Sequence, residues 1–148
     1  IDVAERLWHR PAELMKGRNA KAHTVTLNSE ALAIIEIASQ FRRNSTDLIF
    51  PSRSGGELSD MALSSFMDGI FGTPHGFRSS FRDWAAEKMP HIPDPVAEAA
   101  IAHKVSNKVV AAYKRTAFLE MRRVLLDEWG VFSGAGTLFE HSDKRVIL

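Results

Sequence analysis

The sequence predicts a mainly α-helical fold with a small antiparallel β-hairpin sheet at its N-terminal edge. Apolar residues recur at helical spacing in several segments from position 29 onward, whereas short β-branched, alternating runs occur in the first 27 residues. The chain has 148 residues, 45% of them hydrophobic and 25% charged, which is typical of one globular domain with its own core. We expect the hairpin at 7–27, a helical bundle at 29–130 and a C-terminal tail at 133–148.

The hairpin is predicted from two short runs, Leu7–Pro11 and His23–Leu27, of which the second alternates and is β-branched. Between them, Gly17 and Asn19 tolerate the positive φ that a tight turn requires. The turn also carries three cations, Lys16, Arg18 and Lys21.

Two helices are predicted next. Asn28 or Ser29 is a suitable N-cap for an amphipathic helix that reaches Phe41. A segment rich in Pro, Ser and Gly, residues 43–59, predicts a loop. Ser59 is then expected to cap a second helix that ends near Phe71. Its apolar face would consist of Leu63, Phe66, Met67 and Ile70.

The remaining helices follow a break at Pro74. A third helix presents an apolar stripe, and Pro95 suits the first turn of a short helix over Val96–Ala102. Ser106 or Asn107 is expected to cap a helix through Tyr113. The last helix shows the clearest periodicity, ends at Gly130, and is followed by a loosely held tail from Ser133. The stripes consist of Phe77, Phe81, Trp84 and Ala85 in the third helix, and Phe118, Met121, Leu125, Leu126 and Trp129 in the last.

Several site classes are excluded by composition. The chain has no cysteine, which removes disulfides, thiolate zinc sites, cysteine nucleophiles and iron–sulfur clusters. No two of the six histidines are three or four residues apart, and there is neither a Gly-x-Ser-x-Gly elbow nor a phosphate-binding glycine loop. We therefore expect no metal and no cofactor. The most apolar stretch, Ala31–Ala38, contains Glu36 and is too short to cross a membrane, so no membrane partner is expected.

The residues that remain for chemistry are cations and histidines around a single tyrosine. His75 and Arg78 share a helix face, which Arg82 extends by one turn, and His103 follows the short helix. Tyr113 is the only tyrosine in the chain. The net charge is only +1, but residues 73–123 hold nine Lys or Arg against five Asp or Glu. This distribution allows a local cationic site for nucleic acid.

The order of these motifs resembles the tyrosine recombinase, or phage integrase, family. Thr73–Arg78 contains a His-Gly-x-Arg box, Ala102 and His103 form an Ala-His box, and Ala111–Arg115 an Ala-Tyr-x-Arg box. Glu13–Lys16, followed by the His-x-Val-x-Leu strand, is similar to the hairpin of prophage and genomic-island integrases. The resemblance extends from about residue 1 to 129.

The resemblance implies the catalytic-domain fold of these recombinases, which cleave and rejoin DNA for integration or excision of a mobile element. It implies that Tyr113 is the nucleophile that forms a 3′-phosphotyrosine, while His75 and Arg78 bind the scissile phosphate. His103 matches the third-box histidine and Lys16 the hairpin lysine, a general acid for the leaving oxygen. No metal or cofactor is needed in such a scheme. The implied partner is a double-stranded DNA recombination site bound by a homotetramer, in the cytoplasm, by a bacterial or phage-encoded protein.

Further phosphate contacts are expected from cations near these motifs. They are Arg18, Lys21, Arg82, Lys104, Lys108 and Arg115, with Lys114, Arg122 and Arg123 as additional candidates. In the resembling family the C-terminal segment often docks onto a neighbouring protomer, and the tail 133–148 is a candidate for this role.

One part of the family pattern is absent. The first catalytic arginine lies in a Thr-Gly-x-Arg-x-x-Glu motif, which Arg10–Glu13 matches only in its Arg-x-x-Glu spacing because it lacks Thr-Gly and contains Pro11. We therefore expect a C-terminal fragment in which residues 1–132 are a truncated catalytic domain, inactive by itself and without the core-binding domain. Two alternatives stay open. One is a non-catalytic helical DNA-binding or protein-interaction domain, and the other is a strand-passing topoisomerase without site specificity.

Overall fold

The computed structural model describes residues 1–15, 17, 21–42, 46–68, 73–103 and 117–134, and the structural statements below concern these residues. In these ranges the chain is mainly helical with one two-stranded antiparallel sheet, as predicted. The strands are β1 (Leu7–Arg10) and β2 (His23–Thr26), and a 3-10 turn covers Ala12–Leu14. The helices are α1 (Ser29–Gln40), α2 (Ala62–Phe66), α3 (Gly76–Lys88), α4 (Asp94–Ala100) and α5 (Ala117–Phe132). The helix predicted from Ser106 or Asn107 and the tail beyond residue 134 lie outside the described residues.

The hairpin forms in the predicted place, with Leu7 opposite Thr26 and Arg10 opposite His23. Strand β1 ends before Pro11, because proline has no N–H to donate to the ladder. Trp8 and Arg10 lie two residues apart on one face, and the Arg10 guanidinium lies 5.2 Å from the Trp8 ring centroid, a cation–π contact. The described part of the hairpin is therefore held by cross-strand and same-face pairs.

Helix α1 begins with a side-chain cap. Asn28 Oδ1 accepts a hydrogen bond from the Ala31 N–H at 2.8 Å, so Asn28 is the cap among the two predicted candidates. The Asn28 amide also donates to the Leu126 carbonyl at 2.8 Å. One side chain thus starts α1 and attaches it to α5.

The core lies between α3, α4 and α5. The apolar stripes predicted for the third and last helices pack here around Val96 and Leu125, both fully buried. Three rings make edge contacts, with 5.4 Å between the centroids of Phe81 and Trp129 and 5.2 Å between Trp84 and Trp129. The other buried members are Ala85, Met89, Ala97 and Ala100. Two stripe residues are exceptions, because the side chains of Phe77 in α3 and Met121 in α5 are exposed.

Helix α2 is shorter than predicted. It covers five residues, begins at Ala62 rather than after Ser59, and its predicted core residue Phe66 is 76% exposed. The N-cap position is held by Met61, which has no side-chain acceptor, and Ser59 contributes its carbonyl rather than its hydroxyl. Without a side-chain cap the first turn has little local support. Residues 69–72, the predicted end of this helix, lie outside the described ranges.

Gly130 does not end the last helix, contrary to the prediction. Helix α5 continues to Phe132, and the chain leaves it at Gly134, whose φ of 75° is the left-handed conformation that terminates helices. Gly130 is instead a packing residue. A Cβ there would lie 2.5 Å from Asn28 Nδ2 and 2.9 Å from Glu30 Cδ, distances that real contacts avoid. Glycine is present because α1 approaches α5 at this point.

Gly130→Ala gains about 1 kcal/mol of helix propensity, but the new methyl group must displace the Asn28 side chain from its bonds to Ala31 and Leu126, at a cost of about 2–3 kcal/mol. A net destabilisation of about 1–2 kcal/mol is therefore expected. In an Asn28→Ala, Glu30→Ala background, which removes the obstructing atoms, the substitution should cost at least about 1 kcal/mol less. Urea unfolding of the unchanged chain, the Gly130→Ala variant, the double-substituted background and that background with Gly130→Ala measures both costs. Equal costs in both backgrounds would contradict the packing role.

No helix within the described ranges is long and apolar enough to cross a membrane.

Candidate active site

The His-Gly-x-Arg box forms the first turn of α3. Thr73 Oγ1 accepts a hydrogen bond from the Gly76 N–H at 3.1 Å, which starts this turn. His75 lies at the N-terminal end of the helix and is exposed. Arg78 is one turn further and half-buried, and its backbone N–H donates to the His75 carbonyl at 3.1 Å. The two predicted residues, His75 and Arg78, therefore lie about one turn apart at the N-terminal end of α3.

The Ala-His box meets this turn through a carbonyl. The Arg78 guanidinium donates a hydrogen bond to the Ile101 carbonyl at 2.5 Å. Ile101 directly precedes Ala102 and His103. Two motifs that are 23 residues apart in sequence are thus joined by one charged hydrogen bond.

A left-handed turn at Ala102 places His103. Helix α4 ends at Ala100, two residues before the predicted end, and Ala102 has a φ of 58°. The His103 N–H donates to the Glu98 carbonyl at 2.9 Å and the Ala102 N–H to the Ala99 carbonyl at 3.2 Å. This pattern is a Schellman motif with alanine at the position that usually holds glycine. His103 is consequently turned back toward Glu98 at the end of α4.

Ala102→Gly is expected to stabilise the chain by about 1 kcal/mol, because glycine adopts positive φ without the Cβ clash that alanine has there. Thermal unfolding of the variant and of the unchanged chain measures this difference. Ala99→Gly, inside α4, should have the opposite sign and destabilise by about 1 kcal/mol. A loss of stability in Ala102→Gly would contradict the assigned turn.

A carboxylate that belongs to none of the predicted motifs lies next to His103. Glu98 Oε2 is 2.7 Å from His103 Nδ1, and Glu98 Oε1 is 2.8 Å from Arg82 Nε. Arg82 also pairs with Asp94 at 2.5 Å. The sequence contains a signal for ion pairs between α3 and α4. Two arginines lie at i, i+4 spacing on α3, and two carboxylates lie at the same spacing on α4: Arg78 and Arg82, and Asp94 and Glu98.

The other predicted residues are divided between exposed and undescribed positions. Lys21 is exposed just before β2. Arg82 is placed in the ion pairs given above rather than in open solvent. The residues that lie outside the described ranges are the predicted nucleophile Tyr113 and six cations, Lys16, Arg18, Lys104, Lys108, Lys114 and Arg115.

Arg122 does not fit the phosphate contact predicted for it. Its side chain is 8% exposed, its guanidinium donates to the Thr24 carbonyl, and burial lowers its pKa from the usual value for arginine. Arg123 donates to the Glu5 carbonyl at 2.9 Å. On the same helix, Asp127 pairs with Arg6 at 2.7 Å. These charged residues attach α5 to the N-terminal segment.

In the part of the chain that the structure describes, no three His, Asp or Glu residues form a group that could hold a metal ion.

Comparison with known proteins identifies a relative over most of the chain. The chain is 34% identical over 135 residues to the prophage integrase IntA of Escherichia coli (strain K12). The match covers 87% of this chain and 32% of the relative, so the chain spans about a third of the length of that protein. No family profile and no solved structure matches the chain.

Proposed function

This chain is a phage-integrase-type segment, and on that premise we propose that the protein carrying it is a site-specific DNA recombinase. It cleaves and rejoins double-stranded DNA through a covalent 3′-phosphotyrosine and so integrates or excises a mobile element. The observation that supports this proposal best is the hydrogen bond from Arg78 to the Ile101 carbonyl, which brings the His-Gly-x-Arg and Ala-His boxes together.

Arg78 is suited to hold a phosphate at this point. Its guanidinium has five N–H donors, and one nitrogen is used by the Ile101 carbonyl. The remaining donors can form a bidentate pair with two phosphate oxygens. Because the carbonyl holds one guanidinium nitrogen, the range of directions open to the other donors is reduced before DNA binds. Exposed His75, at the start of the same helix, is available to donate to a third oxygen.

The proposed reaction is a transfer of phosphorus between two oxygens. Tyr113 loses its hydroxyl proton to solvent, and the phenolate oxygen Oη then attacks the scissile phosphorus and forms a bond to it, while the bond to the 5′ oxygen breaks. Lys16 gives a proton to the departing 5′ oxygen, and Arg78, His75 and His103 stabilise the charge on the pentavalent phosphorane. The reverse steps with a new 5′ hydroxyl rejoin the strand. No step in this scheme consumes a cofactor.

The remaining assignments extend the same proposal. Arg18, Lys21, Arg82, Lys104, Lys108 and Arg115 are proposed phosphate contacts. Arg82 is expected to contribute least among them, since two carboxylates already pair with its guanidinium. The active assembly is a homotetramer on DNA in the cytoplasm, with the tail 133–148 as the proposed contact between protomers. The 148-residue chain alone should not turn over, because no segment in it matches the Thr-Gly-x-Arg-x-x-Glu motif.

A selection for covalently bound DNA tests the function. Full-length protein, expressed from the gene that carries this sequence, is incubated with sheared genomic DNA of its source, denatured with detergent and captured, and the retained DNA is sequenced. The proposal predicts one or a few enriched sites with breaks at defined positions. DNA that is bound before but not after denaturation would indicate the non-catalytic alternative. Retention without sequence preference would indicate a topoisomerase.

A further inference from the structure

We propose that Glu98 is a positioning residue for His103, holding its ring so that one defined nitrogen faces the DNA. This inference rests on the proposed function, because it concerns how the third-box histidine acts on the scissile phosphate. It starts from the 2.7 Å contact between Glu98 Oε2 and His103 Nδ1.

The contact determines the histidine tautomer. A carboxylate oxygen only accepts hydrogen bonds, so Nδ1 must carry the hydrogen and donate it. Nε2 is then the ring nitrogen that faces the reacting groups: it accepts a proton when the ring is neutral, and it donates to a phosphate oxygen when the ring carries a hydrogen on both nitrogens. His103 is 48% exposed and Glu98 is 25% exposed, so the carboxylate is the more buried partner and the ring remains accessible.

The carboxylate is itself held in place. Its other oxygen, Oε1, accepts from Arg82 Nε at 2.8 Å, and Arg82 is bonded in turn to Asp94 at 2.5 Å. The backbone adds a second link, because the His103 N–H donates to the Glu98 carbonyl at 2.9 Å. His103 is thus connected to Glu98 through both its ring and its backbone, and the pair is attached to α3 through Arg82. A ring fixed in this way loses less conformational freedom when DNA binds.

The left-handed turn at Ala102 serves the same arrangement. A φ of 58° is unfavourable for alanine, yet it is the conformation that returns His103 to Glu98 at the end of α4. Backbone strain at a residue between the two partners is consistent with a geometry kept for function.

Glu98→Gln is the informative variant. The amide keeps an oxygen for Arg82 but presents an N–H₂ group to His103 Nδ1, which must then accept, so the hydrogen moves to Nε2. In full-length protein, the single-turnover rate of covalent complex formation on the selected DNA site should fall about 10- to 100-fold, the range seen when supports of functional histidines are removed. Glu120→Gln is the matched control, because Glu120 is exposed on α5 and its pair with Arg123 is long, at 3.4 Å.

A double-mutant cycle separates positioning from simple structural support. If Glu98 acts through His103, Glu98→Gln should change the rate of a His103→Ala protein by less than about twofold. If Glu98 only stabilises the fold, the variant should lower the rate equally in both backgrounds, which would overturn the inference, as would a His103→Ala rate equal to that of the unchanged protein. If the unchanged protein cleaves DNA and any of these results is found, only the role of Glu98 is refuted and the proposed function stands. Absence of any covalent complex with the unchanged protein refutes the proposed function and this inference together.

Discussion

Arg78→Ala is expected to lower the rate of DNA cleavage by the full-length protein by about 100- to 1,000-fold, the loss typical of removing one preorganised donor from a charged transition state. The phosphorane carries its charge on oxygens that Arg78 would contact with two parallel N–H groups. Arg78→Lys should recover little of this rate, because an ammonium group cannot form the bidentate pair.

The Arg78 variants also lose the bond to the Ile101 carbonyl, so stability has to be measured beside the rate. Single-turnover cleavage, with urea unfolding of each variant, separates the two effects. Arg42→Ala is the matched control, since Arg42 follows α1 on an exposed segment and pairs with Asp47 at 2.5 Å. A cleavage rate for Arg78→Ala within about threefold of the control would exclude the phosphate-binding role, because the loss would then be worth less than 1 kcal/mol.

Leu125→Ala is expected to destabilise the chain by about 2–5 kcal/mol. Leu125 is 0% exposed and lies in the cluster formed by α3, α4 and α5, where its truncation removes apolar burial and leaves a cavity. The effect should reach the candidate site, because His103 follows the end of α4, which packs against α5. Urea unfolding gives the free energy of unfolding for both proteins.

Val131→Ala provides the comparison for Leu125→Ala on the same helix. Val131 is 71% exposed, so its truncation should change the free energy of unfolding by no more than about 0.5 kcal/mol. Similar losses for the two variants would contradict the assignment of the core to the inner face of α5.

Local patterns predicted the parts of the fold that depend on nearby residues. The hairpin strands, the Asn28 cap and the stripes of α3 and α5 follow from spacing and side-chain chemistry within a few positions. Gly130 shows where such reasoning fails. Its place in a helix depends on Asn28 and Glu30, about one hundred positions earlier, and a glycine kept for close approach resembles a glycine that ends a helix.

Sequence patterns likewise predicted some residues of the candidate site and not others. The motif order led to the phage integrase resemblance, which comparison with a prophage integrase confirms. It also named Arg78 and His103, whose segments the structure joins through the Ile101 carbonyl. The i, i+4 charge spacing marks Glu98 only as a partner for an arginine. Its contact with His103 depends on a turn at Ala102 that reverses the chain, and alanine gives no sequence signal for positive φ. Arg122 was assigned to phosphate because it is charged, although its three-dimensional setting is buried.

The covalent 3′-phosphotyrosine proposed for Tyr113 is tested most directly with a nicked suicide substrate built on the selected DNA site. Cleavage of this substrate releases a short strand, so that the joined state accumulates on the full-length protein. Digestion and mass spectrometry should then find the DNA 3′-phosphate on the peptide that contains Tyr113, and Tyr113→Phe should give no adduct. An adduct on another residue, a 5′-phosphate linkage, or an adduct that persists in Tyr113→Phe would contradict the account.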